Sequence, residues 1–156
     1  MTGRIKKLGA VAILSLVGFA TIVTLVQAQS DAIDQRRALM KANGAAMKAI
    51  NDIVKAGGPV ADLAPHATKL SQDAQALAPL FPAGSDQPQG KEPGQTMAKA
   101  EIWSNPDDFA AKLKAFQDES AMLQTAVAGG DMAAVTAQLE KVGGTCGGCH
   151  KEYRAK

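Results

Sequence analysis

Aromatic bulk is scarce in this chain: one Trp, one Tyr and four Phe serve 156 residues, and Phe19 falls in an N-terminal apolar stretch. A core with so few rings needs some other filling. Strand signals are also nearly absent, which excludes a sheet-based fold. The lysines are dispersed rather than clustered, so the chain has no electrostatic footprint for nucleic acid. No nucleophile is paired with a base, no two carboxylates are set together and no glycine loop is built for phosphate, so an enzyme is not expected. Cysteine is limited to Cys146 and Cys149.

The N-terminus carries Arg4, Lys6 and Lys7 ahead of an apolar run from Leu8 to Val26. That is the pattern of an export signal, and Val26-Gln27-Ala28 predicts a cut after Ala28. Residues 1–28 are therefore expected to be a signal peptide, and 29–156 a single domain in the periplasm. A run of 19 residues also approaches the ~20 that span a bilayer, so a membrane partner is expected only if the signal stays uncleaved. Removing it leaves 128 of 156 residues, with 14 basic against 15 acidic side chains. The exported domain is nearly neutral.

Helical periodicity fills that domain. Helix one is expected from Ser30 or Asp31 to Gly57-Gly58-Pro59, with a seam of Ile33, Met40, Met47, Ile50 and Val54. Helix two reads Leu63, Ala67, Leu70, Ala74, Leu77 and Phe81, with Pro65 in its first turn. Pro82 to Gln95 reads as an exposed loop and Met97 to Trp103 as a short helical turn. Helix three starts at Ser104 or Asn105 before Pro106 and carries Phe109, Leu113, Phe116, Ser120, Leu123 and Val127. Helix four, capped by Asp131, aligns Met132, Val135, Leu139, Val142, Cys146, Cys149 and Tyr153. The predicted fold is all-α: an antiparallel four-helix bundle in which Cys146-Gly147-Gly148-Cys149-His150 marks a haem in the core near the C-terminus.

The haem follows from Cys146-Gly147-Gly148-Cys149-His150, the C-x-x-C-H pattern in which two thiols take up the macrocycle's vinyl groups and the histidine meets iron. A disulfide is disfavoured, because helical residues three apart hold their Cβ atoms ~5–6 Å apart, beyond the ~3.5–4.5 Å such a bond needs. Zinc would need further ligands, and only His66 remains. Gly143, Gly144, Gly147 and Gly148 cost helix stability at ~1 kcal/mol each relative to alanine. They make sense if a flat ring must approach the backbone. One haem c per chain, covalently attached at Cys146 and Cys149, is the predicted cofactor, and it would supply the missing core bulk.

The chain resembles the class II c-type cytochromes, the cytochrome c prime family. The resemblance rests on Arg36 to Gly44, on Glu101-Ile102-Trp103 and above all on Cys146 to Arg154, and it extends over nearly all of the exported domain. It implies that helix one supplies the residue facing iron opposite His150, and Met40 occupies that position. In gas-binding members this residue is apolar, whereas in a low-spin branch it is methionine, so the chain looks like the low-spin branch. On its own residues Met40 reads as core. Met47 lies roughly 10 Å further along the axis, too far to share one iron. The resemblance also sets Arg154 by the haem, and Arg36 is suited to a propionate. Arg37 reads as a solvated charge, Trp103 as packing and His66 as a surface residue, with a bis-histidine iron still open. The implied function is single-electron transfer through His150 and Met40 with redox partner proteins. The alternative is a five-coordinate binder of nitric oxide or carbon monoxide. Family members often dimerise through their first helices, which adds a homodimer to the expected partners.

Overall fold

The computed structural model describes residues 12–86 and 95–156, with side chains from residue 28 onward. Five α-helices follow in order: α1 (Ala12–Lys55), α2 (Ala64–Ala76), α3 (Glu101–Ser104), α4 (Pro106–Gly129) and α5 (Met132–Tyr153). Single 3₁₀ turns at Val60–Leu63 and Ala78–Leu80 flank α2. The four long helices form the expected four-helix bundle.

The start of α1 differs from the expectation. Ser30 and Asp31 lie within the helix rather than capping it. No glycine or proline stands between Gly18 and Gly44, so nothing in that stretch breaks the hydrogen-bond ladder. The 44 residues make a rod of about 66 Å. Met1–Lys7, and the side chains on which a signal or an anchor would depend, lie outside the described residues. Among those described, no helix is long and apolar enough to cross a membrane.

The other boundaries follow their chemistry. Gly57 takes φ +65°, and the Gly57 and Gly58 amides donate to the Val54 and Ile53 carbonyls at 3.1 and 3.0 Å, a Schellman closure. Gly130 ends α4 at φ +76°. Asp131 then caps α5, accepting from the Ala133 amide at 2.8 Å and from Ala134 at 3.4 Å. Proline opens both α2 and α4.

Two clusters make the core. The larger joins Leu63, Leu70 and Leu77 of α2 and its flanks to Ile50, Phe116, Leu123, Val135 and Val142. The smaller surrounds Ala98, Ile102, Phe109 and Tyr153 at the C-terminal end of α5. There Phe109 stands edge-on between Phe81 and Tyr153, with ring centroids at 4.8 and 5.2 Å. The α1 seam is corrected: its buried face is Ala32, Ile33, Arg36, Asn43, Ala46 and Ile50, while Met40 is exposed. Ile33 and Ile50 of the expected seam are buried and Met47 and Val54 pack against the core, so Met40 is the residue that departs, and small and polar side chains hold the centre of that face.

The C-terminus is tied rather than frayed. Ala98 and Arg154 form an antiparallel bridge, and the Ala155 and Lys99 amides donate to the Met97 and Tyr153 carbonyls at 2.8 and 3.0 Å.

Candidate haem site

The neighbours within the bundle are uneven. α1 packs on α2, α2 on α4 and α4 on α5, but α1 and α5 share no comparable contact. The fourth corner is a seam between the first and last long helices.

The C-x-x-C-H stretch turns toward that seam. Gln138 donates to the Glu119 carbonyl at 3.1 Å, and Lys112 acts on Cys149, which marks the flank of α5 that meets α4. At 100° per residue, Gly143, Gly147, His150 and Arg154 fall on the opposite flank, toward α1. A Cβ built on Gly143, Gly144, Gly147 or Gly148 would meet nothing within 4 Å. The helix thus presents bare backbone beside two half-buried thiols, a surface on which a flat macrocycle fits.

Cys146 packs against the larger cluster and Cys149 against the smaller. Both are free, and burial raises both thiol pKa values. His150 is exposed to solvent, yet the part of its ring against protein loses hydration. That loss, with the charge of Arg154, lowers its pKa and favours the neutral imidazole a metal requires. Among the described residues no group of three or more His, Cys, Asp or Glu could hold a metal ion, so the zinc reading has no support.

The profile of the family described as Cytochrome C' matches residues 31–154. A cytochrome c' of Pararhodospirillum photometricum is 35% identical over 78% of this chain and 94% of its own. A cytochrome c-556 of Agrobacterium tumefaciens is 39% identical over 80% of this chain and 97% of its own. Among solved structures, the nitric oxide complex of a mutant cytochrome c prime from Alcaligenes xylosoxidans superposes with a TM-score of 0.72 at 26% identity, covering 82% of this chain and 96% of that one. This chain belongs to the cytochrome c' family. It carries covalently bound haem c, and Cys146 and Cys149 stand in the C-x-x-C-H pattern of such attachment.

Within this cytochrome c' fold Met40 stands at the edge of the buried face of α1. On α1, Ile33, Met40 and Met47 share one edge of the buried face, and Leu39 and Ile53 share the other. Met40 is 37% exposed and belongs to neither core cluster. His66 is excluded as a ligand. It precedes Thr68, which pairs with Gln124 at 3.3 Å, whereas Cys149 is level with Lys112. Twelve residues of α4 separate those levels, about 18 Å.

Arg36, expected at a propionate, is engaged chiefly by the protein itself. Its guanidinium donates to the Leu80 carbonyl at 3.2 Å, to Ser85 Oγ at 2.7 Å, and to the Ser85 carbonyl and Thr96 Oγ1. It also lies 5.1 Å over the Phe81 ring. Burial lowers its pKa to about 10, opposed by Asp86. With four of five N–H groups engaged, only Nε–H is left for a haem carboxylate. Arg154 is exposed and points at Met97 Sδ, 3.4 Å away. Arg37 lies 3.8 Å from Asp34 on the surface, and Trp103 packs, donating to the Phe81 carbonyl at 3.3 Å. Sequence reasoning missed Ser85 and Thr96 as partners of Arg36, since nothing local distinguishes them from other loop residues. It also missed Asn43, whose place on a buried helix face was a readable signal.

Proposed function

We propose that this cytochrome c' binds a diatomic gas, nitric oxide or carbon monoxide, at the haem iron on the side opposite His150. The observation that carries the reading is the α1 side of the seam. Its residue at that position, Met40, is 37% exposed and belongs to neither core cluster, which favours an open sixth position. The nitric oxide complex of the Alcaligenes protein supports the same chemistry. Haem supplies the iron orbital for the gas; this chain supplies the neutral His150 imidazole behind it, the glycine-lined approach and the Met40 flank in front. The basic N-terminus and apolar run support export to the periplasm, with residues 1–28 as the signal.

A second reading has one specific observation in its favour. Met40 and His150 are both exposed side chains on the two helices that border the seam, and a thioether on three rotatable bonds can close onto iron. Six-coordinate iron would then carry single electrons to redox partner proteins.

Visible and electron paramagnetic resonance spectra of the periplasmic protein, with and without carbon monoxide, decide between them. High-spin iron that takes up carbon monoxide, and keeps doing so in Met40→Ala, is the expected result. A low-spin wild type that resists the gas, and becomes high-spin and gas-binding in Met40→Ala, would establish the second reading.

A further inference from the structure

The middle of the bundle is not wholly apolar. Asn43 is 6% exposed and Ser120 is fully buried. Among the described residues, Asn43 Nδ2, Asn43 Oδ1 and Ser120 Oγ are the buried side-chain atoms left without a hydrogen-bond partner. A buried polar atom with no partner pays the full loss of its hydration, so three of them at one place need an explanation.

They are at one place. Gln117 and Gln124 of α4 donate to the Ala74 carbonyl and to Thr68 Oγ1, each at 3.3 Å, which sets Ser120 beside residues 71–72 of α2. Arg36 reaches the Leu80 carbonyl at 3.2 Å, and α1 turns into α2 at Gly57–Gly58, which sets Asn43 beside residue 73. The two side chains therefore share a level to within about one helical turn. Each also occupies the centre of its helix's buried face. Asn43 lies between Arg36, Ala46 and Ile50, and Ser120 between Phe116 and Leu123. On α1 and α4, which are diagonal neighbours, those faces look at one another across the bundle axis.

We propose that Asn43 and Ser120 hold one internal water molecule on the bundle axis, forming a polar floor to the pocket where the gas binds. The count fits: a buried water makes about three hydrogen bonds, and the site offers an amide donor, an amide acceptor and a hydroxyl. Asn43 lies three residues from Met40, about 4.5 Å along the helix, so the site is one turn below the residue that flanks the sixth position. The gas-facing part of the proposal rests on the gas-binding reading; the water site does not.

A high-resolution crystal structure of the haem-loaded protein, with the carbon monoxide stretch of its ferrous complex, tests both parts. One water within hydrogen-bond distance of Asn43 and Ser120 is expected. In Asn43→Leu the water is lost and the stretch moves to higher wavenumber, because a donor no longer polarises the bound ligand. Ser120→Ala, the milder change, moves it in the same direction by less. A direct Asn43–Ser120 hydrogen bond with no water overturns the site. A water that is present while both variants leave the stretch unmoved overturns the polar floor. Failure to bind carbon monoxide at all counts against the gas-binding reading, and the crystal structure still decides the water.

Discussion

The corner between α2 and α4 and the corner between α1 and α5 are built on opposite plans. At the first, Leu63, Ala67, Leu70, Ala74 and Leu77 are completely buried and meet Phe116 and Leu123. At the second, Gly143 and Gly147 leave open space, two thiols are half-buried, and Met40 and His150 of the bordering helices stand exposed. The first corner folds by covering apolar surface, at roughly 1.5–3 kcal/mol for each fully buried large side chain. The second withholds that contribution and leaves it to the haem. A bundle can therefore be complete as a fold along three edges and need its cofactor at the fourth.

The sharpest break in that contrast is removal of the attachment. Cys146→Ser with Cys149→Ser should abolish covalent haem, read as loss of haem stain on a denaturing gel, and should lower the melting temperature of the protein made in the periplasm. A double variant as stable as the haem-loaded wild type would mean the seam needs no filling. Next in size, Leu70→Ala should cost about 2–5 kcal/mol by the loss of burial plus a cavity. Denaturant unfolding should show that cost with or without haem, because the sealed corner does not depend on it.

Gly147→Ala sharpens the comparison further. In haem-free chain it should stabilise α5 by about 1 kcal/mol, since alanine is the better helix former and its Cβ meets nothing within 4 Å. In the haem-loaded protein the gain should vanish or reverse, as the methyl group meets the ring. An equal gain in both forms would place the haem elsewhere.

Most of the sealed corner was legible in the sequence, and less of the open one. The apolar spacing of α2, α4 and α5 placed their buried residues, because periodic leucines and valines have one way to leave water. C-x-x-C-H named the cofactor. The α1 seam was misplaced at Met40, which looked like core but is exposed, whereas the centre of the buried face runs through Arg36, Asn43 and Ala46. Arg36 was readable as a site residue but not as the clamp on Ser85 and Thr96, whose positions depend on how the loop returns. Helix one was expected to begin where Ser30 and Asp31 could cap it, yet with no glycine or proline from Phe19 to Asn43 the helix runs straight through them.

The smallest effect concerns the far end of α5. Tyr153 donates to Asp108 Oδ2 at 2.5 Å, and that bond, aided by burial, pushes the phenol pKa up to about 12 from 10. A folded-state pKa above the unfolded one means stability that is fully present below about 10 and lost as pH rises toward about 12. Tyr153→Phe should flatten that part of the stability–pH curve and leave haem attachment intact. An unchanged alkaline limb would show that the pair contributes nothing.

The most direct test of the central claim is the map of paramagnetic shifts in the NMR spectrum of the oxidised, haem-loaded protein. A haem in the seam predicts the largest shifts at Arg36 to Asn43 of α1 and Gly143 to His150 of α5, with Leu63 to Leu70 nearly unmoved. Shifts centred on α2, or on the groove beside α3 lined by Lys99, Glu101 and Asn105, would contradict it.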